Sequence, residues 1–398
     1  MAGIAALAFA YLLSQFYRSF LAVLTPALEA DLGTTNADLS FGSGAFFATF
    51  ALSQFVIGVS LDRFGPRRTG AALLAVGGGG GALLFAAAVS PAMIAVAMAL
   101  IGIGCAPVLM ASLFIFAKTF SAARFAVLTS WFVGLGSLGN VIGAAPLAAA
   151  VEASGWRMVM AGLAITTLLT ALAVATLVRD PAPDDTAGAV GAGKSGFAGF
   201  RELLSLRVLW PIIPLTTLNY AAAAGIRGLW AGPYLTEVHG ADALTIGEIT
   251  LFMAIAMVLG SFIYGPLDTL FRTRKWVVVA GNGISLATLG FLALHPGMGL
   301  QAATWMLMLV GVSGLSYGLM MAHARAFFPP HLLGRGVTLM NFFSIGGVGL
   351  MQFATGVVVT EAAVQGDAAV AYQAQFGFYA LMLAAALAIY LFSRDAKP

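Results

Sequence analysis

The charged stretch Gly58-Val-Ser-Leu-Asp62-Arg63-Phe-Gly65-Pro-Arg67-Arg68 lies between two long apolar stretches of the sequence. Its charges and its Gly-Pro pair are unsuited to the apolar interior of a bilayer and predict a loop at a membrane surface. Over the whole chain, 60% of the residues are hydrophobic and only 9% are charged. Because soluble domains carry far more charge than this, the sequence predicts a polytopic membrane protein.

Twelve apolar stretches are long enough to cross a bilayer, which takes about 20 helical residues. Membrane-spanning chains of this type are α-helical because each backbone polar group must be bonded inside its own segment. We number the predicted segments 1 to 12; they cover residues 3–28, 39–61, 69–89, 91–117, 125–150, 157–178, 208–235, 244–267, 275–294, 298–322, 336–360 and 368–393. A polar stretch divides them into six and six. The predicted domains are therefore 1–178, a linker at 179–207, and 208–398.

The basic residues predict the orientation. If both termini are cytoplasmic, the inside loops hold sixteen of the nineteen basic residues: Arg63, Arg67, Arg68, Lys118, Arg124, Arg179, Lys194, Arg201, Arg207, Arg272, Arg274, Lys275, Arg325, Arg335, Arg394 and Lys397. This asymmetry agrees with the preference of basic residues for the cytoplasmic side. We therefore expect an integral protein, in a bacterial inner membrane because its loops are short, with both termini in the cytoplasm.

The two halves of the chain resemble each other. Arg18 in segment 1 is followed by Asp62 after segment 2, and Arg227 in segment 7 is followed by Asp268 after segment 8. Each aspartate follows a leucine and precedes a group of basic residues. This correspondence predicts an all-α fold of twelve transmembrane helices in two pseudo-symmetric six-helix bundles, with a solute site between the bundles.

The charged stretch at residues 58–68 resembles the signature loop of the major facilitator superfamily (MFS) of transporters. The resemblance implies the MFS fold and alternating access, in which a latch of charged residues holds one conformation. It also implies that Gly58 and Gly65 allow a close helix approach and a tight turn. The implied gating or latch residues are Gly58, Asp62, Arg63, Gly65, Arg67, Arg68, Asp268 and Arg272. Met98, at a position where drug antiporters of this superfamily carry an arginine, argues against a multidrug exporter.

Arg18 and Arg227 are the charged residues that lie within apolar segments, where a charge is costly. No acidic residue lies deep enough in a segment to pair with either. We expect both to bind an anionic solute, an organic carboxylate or a phosphate-like group, through their forked donors. The other predicted substrate-binding residues are Gln15, Tyr17, Asn219, Tyr220, Tyr317 and Asn341. The alternative is that both arginines reach toward the membrane surface or bond carbonyls at helix ends.

Other functions remain open. The solute could be a neutral or zwitterionic nutrient such as an amino acid or peptide. It could also be copper, bound by Met253, Met257, Met320, Met321 and His323. A receptor or scaffold without transport activity is a third class. We expect no enzymatic activity, no catalytic residue, no cofactor, no resident metal and no nucleic-acid partner, and we expect a monomer whose partners are its solute and the bilayer.

Two acidic residues near helix starts, Asp38 and Glu248, could carry protons. Each lies three residues after a threonine, Thr35 and Thr245, in a pattern typical of a capping box. A carboxylate is also favoured at the positive end of a helix. We therefore expect both acids to cap helices.

Overall fold

The structure, a computed structural model, describes residues 2–120, 122–180, 198–329, 332–364 and 367–396. Side chains are also not described for a few residues inside helices, including Asp62. The described residues form helices and no strand. The helices are Ala2–Phe16, Leu21–Leu32, Asn36–Phe64, Pro66–Leu73, Leu74–Gly79, Gly80–Ala86, Pro91–Thr119, Ala122–Ile142, Ala145–Ser154, Trp156–Leu177, Ala198–Ser205, Ile213–Leu218, Ala221–Gly225, Ile226–Trp230, Ala231–His239, Ala243–Phe271, Lys275–Leu294, Leu300–Ser313, Tyr317–Arg325, Leu333–Ala363 and Ala368–Tyr390.

Among the described residues, nine helices are long and apolar enough to cross a membrane, and two bent helix pairs raise the number to eleven. The pairs are Ala2–Phe16 with Leu21–Leu32, bent by 55°, and Phe132–Ile142 with Ala145–Ser154, bent by 42°. These eleven coincide with all the predicted segments except the seventh. Large apolar side chains such as those of Val56 and Phe262 are exposed, as expected where lipid surrounds a protein.

Segment 7 is apolar but is broken into short helices between Ile213 and His239. One of its pieces, Ile226–Trp230, is a π-helical turn. Segment 1 is also interrupted, at residues 17–20 between its two helices. The sequence predicted both segments as continuous. Broken helices leave backbone groups without helical partners and are often found at functional sites.

Counting helix crossings along the chain places the connections near 65, 179, 273 and 394 on one face, which we call the termini face, and those near 34, 89, 241 and 297 on the opposite face. The two halves pack along segments 2 and 11, from Ser40 beside Gly356 to Phe55 beside Phe342, and they also meet at the opposite face. There, the Asn36 side-chain amide donates to Glu237 Oε1 at 2.7 Å. Segment 5 packs on segment 8 at Gly247, where an added Cβ would lie 2.7 Å from Cβ of Ala148. The molecule is therefore closed toward the opposite face.

Helix starts confirm one capping prediction and correct another. Thr35 and Asp38 form the predicted capping box, since the Asp38 backbone N–H donates to the Thr35 hydroxyl and Asp38 Oδ2 accepts from the Thr35 backbone. The prediction that Thr245 caps segment 8 is wrong. The cap is Asp242, whose carboxylate accepts from the Thr245 backbone N–H at 2.9 Å. Because the Asp242 carboxylate accepts from a free backbone N–H of the first turn, the helix begins at Ala243, two residues before Thr245.

Candidate solute site between the two halves

Arg18 lies in the interruption of segment 1, between Phe16 and Leu21. Its guanidinium carbon is 4.7 Å from the centre of the Phe50 ring in segment 2. Its Nε is buried and has no hydrogen-bond partner. A cation over an aromatic face gains attraction from the ring, but this contact uses none of the N–H donors of the arginine.

Arg227 lies in the π-helical turn of segment 7 and is 3% exposed. Its Nη2 donates to Oδ1 of Asn140 in segment 5 at 2.6 Å. Its Nε and Nη1 are buried without partners. Most of its five donors are therefore free to bind a ligand.

The two guanidinium groups are close enough to repel each other. In the described part of the chain, neither forms a salt bridge with a carboxylate. Two neighbouring cations in a buried region cost free energy unless an anion or water compensates them. Arg18 and Arg227 thus form a site whose charge fits an anion.

A tight helix crossing brings the two arginines together. Gly228 in segment 7 packs on the backbone of segment 1, and an added Cβ would lie 2.8 Å from the carbonyl oxygen of Arg18. One turn later, a Cβ on Gly232 would overlap the carbonyl oxygen of Ala22. This small-xxx-small spacing permits two helix backbones to approach closely in a membrane. Because the crossing includes Arg18 and adjoins Arg227, any separation of segments 1 and 7 changes the site.

Several predicted site residues lie together on the second half. The ring centres of Tyr220 and Tyr317 are 6.4 Å apart, and the Tyr317 hydroxyl donates to Oδ1 of Asn341 at 2.9 Å. Tyr220 also lies within electrostatic range of Arg227. Asn219 donates to the hydroxyl of Ser316 at 3.3 Å, and its Oδ1 is buried without a partner.

The two predicted residues beside Arg18 differ in their surroundings. Tyr17 is fully buried within the first half, where its hydroxyl bonds to Oγ1 of Thr167 at 2.9 Å. This contact joins segments 1 and 6 and directs Tyr17 away from segment 7. Gln15 is partly exposed, and its buried Oε1 has no hydrogen-bond partner.

Sequence reasoning did not predict the roles of Phe50 and Tyr11. Phe50 lies under the Arg18 guanidinium, and Tyr11 is within electrostatic range of it. Both are aromatic residues among many in apolar helices, so no sequence signal distinguishes them from packing residues. Asn140 was one of several polar residues in apolar segments, and nothing in the sequence pairs it with Arg227.

The first-half latch is described only in part. Gly65 has a φ of +81°, which confirms the tight turn. Among the described residues, no atom would lie within 4 Å of a Cβ on Gly58, so the implied close helix approach there stays a prediction. The side chain of Asp62 lies outside the described residues. Arg63 lies over Phe64 at 5.3 Å, and Arg68 is exposed.

In the second half, Asp268 pairs with Arg274, whose Nε is 3.3 Å from Oδ2 of Asp268. Arg274 also donates to the carbonyl oxygen of Ala322 in segment 10 at 3.5 Å. The predicted latch residue Arg272 instead ends the helix Ala243–Phe271 with a φ of +53°. Arg274 is therefore the cation that links segments 8 and 10.

Each half has an aspartate after its last segment that binds the start of its third segment. Asp180 accepts from the backbone N–H of Arg67 at 2.8 Å, and Asp395 accepts from that of Lys275 at 3.0 Å. Partial burial raises the pKa of Asp395, but hydrogen bonds from the Thr273 hydroxyl and the Lys275 backbone outweigh this and lower it overall. We call Asp180 and Asp395 the closing aspartates.

The described residues contain no group of three or more His, Cys, Asp or Glu side chains that could hold a metal ion. His323 is fully buried, with Nδ1 2.6 Å from the Tyr390 hydroxyl and Nε2 2.8 Å from the carbonyl oxygen of Arg394. Because a carbonyl only accepts, Nε2 carries the proton and Nδ1 accepts from Tyr390. Neither nitrogen is free for copper.

A sequence model described as Major Facilitator Superfamily matches residues 7–231 of the chain. This range covers more than half of the sequence and includes the signature stretch, Arg18 and Arg227. No curated protein sequence matches the chain.

Solved structures resemble the whole chain. A bacterial homologue of the human lysosomal transporter Spinster, inward-facing and unoccupied, superposes with a TM-score of 0.78 and 18% identity, covering 98% of this chain and 96% of the other. A D-xylose–proton symporter gives 0.75 and 14% identity over 99% and 98%. The nucleoside transporter NupG gives 0.75 and 14% identity over 98% and 99%. At these identities the likeness shows a shared fold.

Proposed function

The chain belongs to the major facilitator superfamily, and on that premise we propose that it is a carrier that moves a small organic anion across the membrane by alternating access. The solute would carry a carboxylate or a phosphate-like group. It would bind between the two halves, where Arg18 and Arg227 supply the charge. No cofactor and no catalytic residue enter this proposal.

The observation that carries the proposal is the state of the two arginines. Arg227 is 3% exposed and has two buried nitrogen atoms without partners, and Arg18 has one. A buried cation that serves only the fold is normally paired or fully hydrogen-bonded. An oxyanion between these guanidinium groups would remove their repulsion and accept several hydrogen bonds.

The closed crossing at Gly228 supports a mechanism in which segments 1 and 7 separate. The halves touch toward the opposite face, so the solute would exchange at the termini face in this conformation. If the segments separate, Arg18 and Arg227 move apart and release the anion to the other side. The basic loops favour a cytoplasmic termini face. We propose a bacterial inner membrane because the loops are short.

Polar residues of the second half would position the rest of the solute. Tyr220, Tyr317 and Asn341 lie within one connected group, and Asn219 offers a buried oxygen. Gln15 offers another from the first half. Tyr17 would act indirectly, since its bond to Thr167 holds segment 1 against segment 6.

The copper alternative is disfavoured by His323, since both of its ring nitrogens are already bonded. Transport of a neutral or zwitterionic nutrient remains the second candidate. A zwitterion would also place its carboxylate on the arginines but needs a carboxylate for its ammonium group. No acidic residue lies deep in a predicted segment, which favours a simple anion.

The test is ligand-induced thermal stabilisation of the purified protein. The panel holds mono- and dicarboxylates, phosphate esters, amino acids, peptides, nucleosides and Cu(I). A ligand at about 100 times its Kd stabilises the native state by about 2.7 kcal/mol, so specific ligands will register. The variants are Arg18→Ala and Arg227→Ala, and Arg325→Ala, an exposed arginine outside the site, is the matched control.

We expect an anionic ligand to stabilise the parent protein and the control but neither site variant. The same ligand should be taken up by proteoliposomes that contain the parent protein. A neutral ligand or a metal that stabilises all four proteins would refute the anion assignment. Binding of the anion without uptake in either direction would instead point to the receptor class.

A further inference from the structure

A groove of about 420 Å³ opens on the termini face, away from the solute site. It lies between the start of segment 7 and the chain that follows segment 12. Its lining residues come from these two stretches and are Leu206, Arg207, Val208, Pro211, Phe392 and Arg394. None of them belongs to the solute site or to the latch.

The groove contains two arginines, and the described part of the chain offers neither of them a carboxylate partner. Arg207 and Arg394 are both exposed. Within the described ranges, no carboxylate lies within salt-bridge distance of either guanidinium. Asp395, which adjoins Arg394 in the sequence, is engaged by the Thr273 hydroxyl and the Lys275 backbone. An anion that entered the groove would therefore meet two available forks of donors.

Hydrogen bonds hold the groove in shape. Lys275 Nζ donates to the carbonyl oxygens of Leu391 and Ser393 at 2.6 and 2.8 Å. The carbonyl oxygen of Arg394 accepts from His323, which is fully buried. These contacts fix the backbone on both sides of Phe392, so a ligand would bind a prepared site and lose less free energy to ordering.

The rim of the groove is apolar and aromatic. Phe392 is 83% exposed, and Trp210 near the other wall is 60% exposed. Trp210 lies at the start of segment 7 and Phe392 follows the helix Ala368–Tyr390, so both lie close to the level where hydrocarbon meets water. Aromatic side chains are favoured at that level, and basic pockets there bind lipid head groups. A soluble phosphate would leave these aromatic surfaces unused, whereas a lipid would cover them with its acyl chains.

We propose that this groove binds an anionic phospholipid, with Arg207 and Arg394 on its phosphate and Phe392 against its acyl chains. The bound lipid joins the start of segment 7 to the end of segment 12. It therefore steadies the segment that carries Arg227 without contacting the solute. The proposal depends on the protein lying in a bilayer and does not depend on the identity of the solute.

The test measures lipid binding to the purified full-length chain by native mass spectrometry. The probes are phosphatidylglycerol, phosphatidylcholine and soluble glycerol phosphate. The variant is Arg207→Gln combined with Arg394→Gln. The matched control is Arg179→Gln, because Arg179 follows segment 6 and precedes a closing aspartate just as Arg394 follows segment 12, yet lies outside the groove.

We expect the parent and the control to retain phosphatidylglycerol in preference to phosphatidylcholine. Each basic residue near a membrane surface contributes about fivefold to anionic-lipid affinity, so the double variant should bind about 30-fold more weakly. Retention within twofold of the parent would overturn the proposal. Competition by glycerol phosphate at the affinity of the lipid would overturn the lipid assignment and leave a soluble-phosphate site.

The fold of the double variant is checked by its melting temperature in phosphatidylcholine. If that temperature falls, Arg207→Gln alone is used, because its side chain makes no hydrogen bond within the described part of the chain. This single variant should lose about fivefold in phosphatidylglycerol affinity. An unchanged affinity in a folded single variant would equally overturn the proposal.

Discussion

Replacing Arg227 by methionine should leave the empty protein as stable as the parent, or more stable, while abolishing anion binding. Methionine has a similar length and no charge, so it can fill much of the same space. Stability should rise and anion binding should be lost, because the buried charge of Arg227 destabilises the fold but attracts an anionic ligand. Substitution of a residue that serves the fold would instead lower stability.

The magnitude follows from the contacts of Arg227. An arginine at the centre of a membrane helix costs about 3 kcal/mol on insertion scales. Its removal forfeits one charged hydrogen bond, the 2.6 Å contact with Asn140, worth about 2 kcal/mol. It also removes the repulsion from Arg18. The balance is a net stabilisation of about 1 kcal/mol in the absence of ligand.

The assay follows unfolding of the parent, Arg227→Met and Arg227→Lys by tryptophan fluorescence, with and without the anion found in the ligand screen. Trp230 is fully buried three residues from the substitution and reports on this region. We expect Arg227→Lys to keep the charge but bind more weakly, because an ammonium group lacks the planar fork of arginine.

A fall of 2 kcal/mol or more in the stability of ligand-free Arg227→Met, restored in Arg227→Lys, would refute this reasoning. It would show that Arg227 serves the fold, with its buried nitrogens satisfied by water. A ligand shift that survives in Arg227→Met would refute the proposed site even if stability rises as expected.

Two further predictions concern conformation and pH. Gly228→Ala places a Cβ 2.8 Å from a carbonyl oxygen of segment 1, and such overpacking costs about 1–3 kcal/mol. Spin labels at residues 153 and 244 on the opposite face should therefore show a larger open population than in the control Gly162→Ala, where a Cβ meets nothing within 4 Å. Equal distance distributions in the two variants would contradict this. The lowered pKa of Asp395 means that its carboxylate stabilises the fold above the unfolded pKa of about 4 and loses this effect as pH falls through the lower folded value. The melting temperature of Asp395→Asn should therefore lie below that of the parent at pH 7 and approach it toward pH 3, and a gap that stays constant would contradict the assignment.

The fold could be predicted from sequence because a bilayer imposes a strong constraint on length and hydrophobicity. The eleven candidate spans coincide with predicted segments for this reason. The seventh segment forms short helices between Ile213 and His239, and the sequence did not predict these breaks. In segment 1, no proline or glycine lies at the interruption at residues 17–20, so local sequence gives no sign of it. Such breaks depend on packing between helices and are not encoded by local propensity.

The arginines of the candidate site were predictable because a charge in an apolar segment is conspicuous. Their partners were not, since Asn140 and Phe50 reach them from segments 5 and 2. Tyr17, one residue before Arg18, turns toward segment 6 instead. Tyr17 was predicted as a neighbour of Arg18 in the sequence, and the direction of a side chain beside a helix break does not follow from such proximity.

The closing aspartates have a consequence for how the protein is made. Asp180 and Asp395 each bind the start of a segment that the ribosome produced three segments earlier. Segment 3 therefore keeps an unsatisfied end until segment 6 has been inserted, and segment 9 until segment 12 has been inserted. The first half can complete its own network while the second is still being synthesised. We therefore expect each half to complete its network only after the Arg-Asp dipeptide that follows its last segment, Arg179-Asp180 or Arg394-Asp395, has been synthesised.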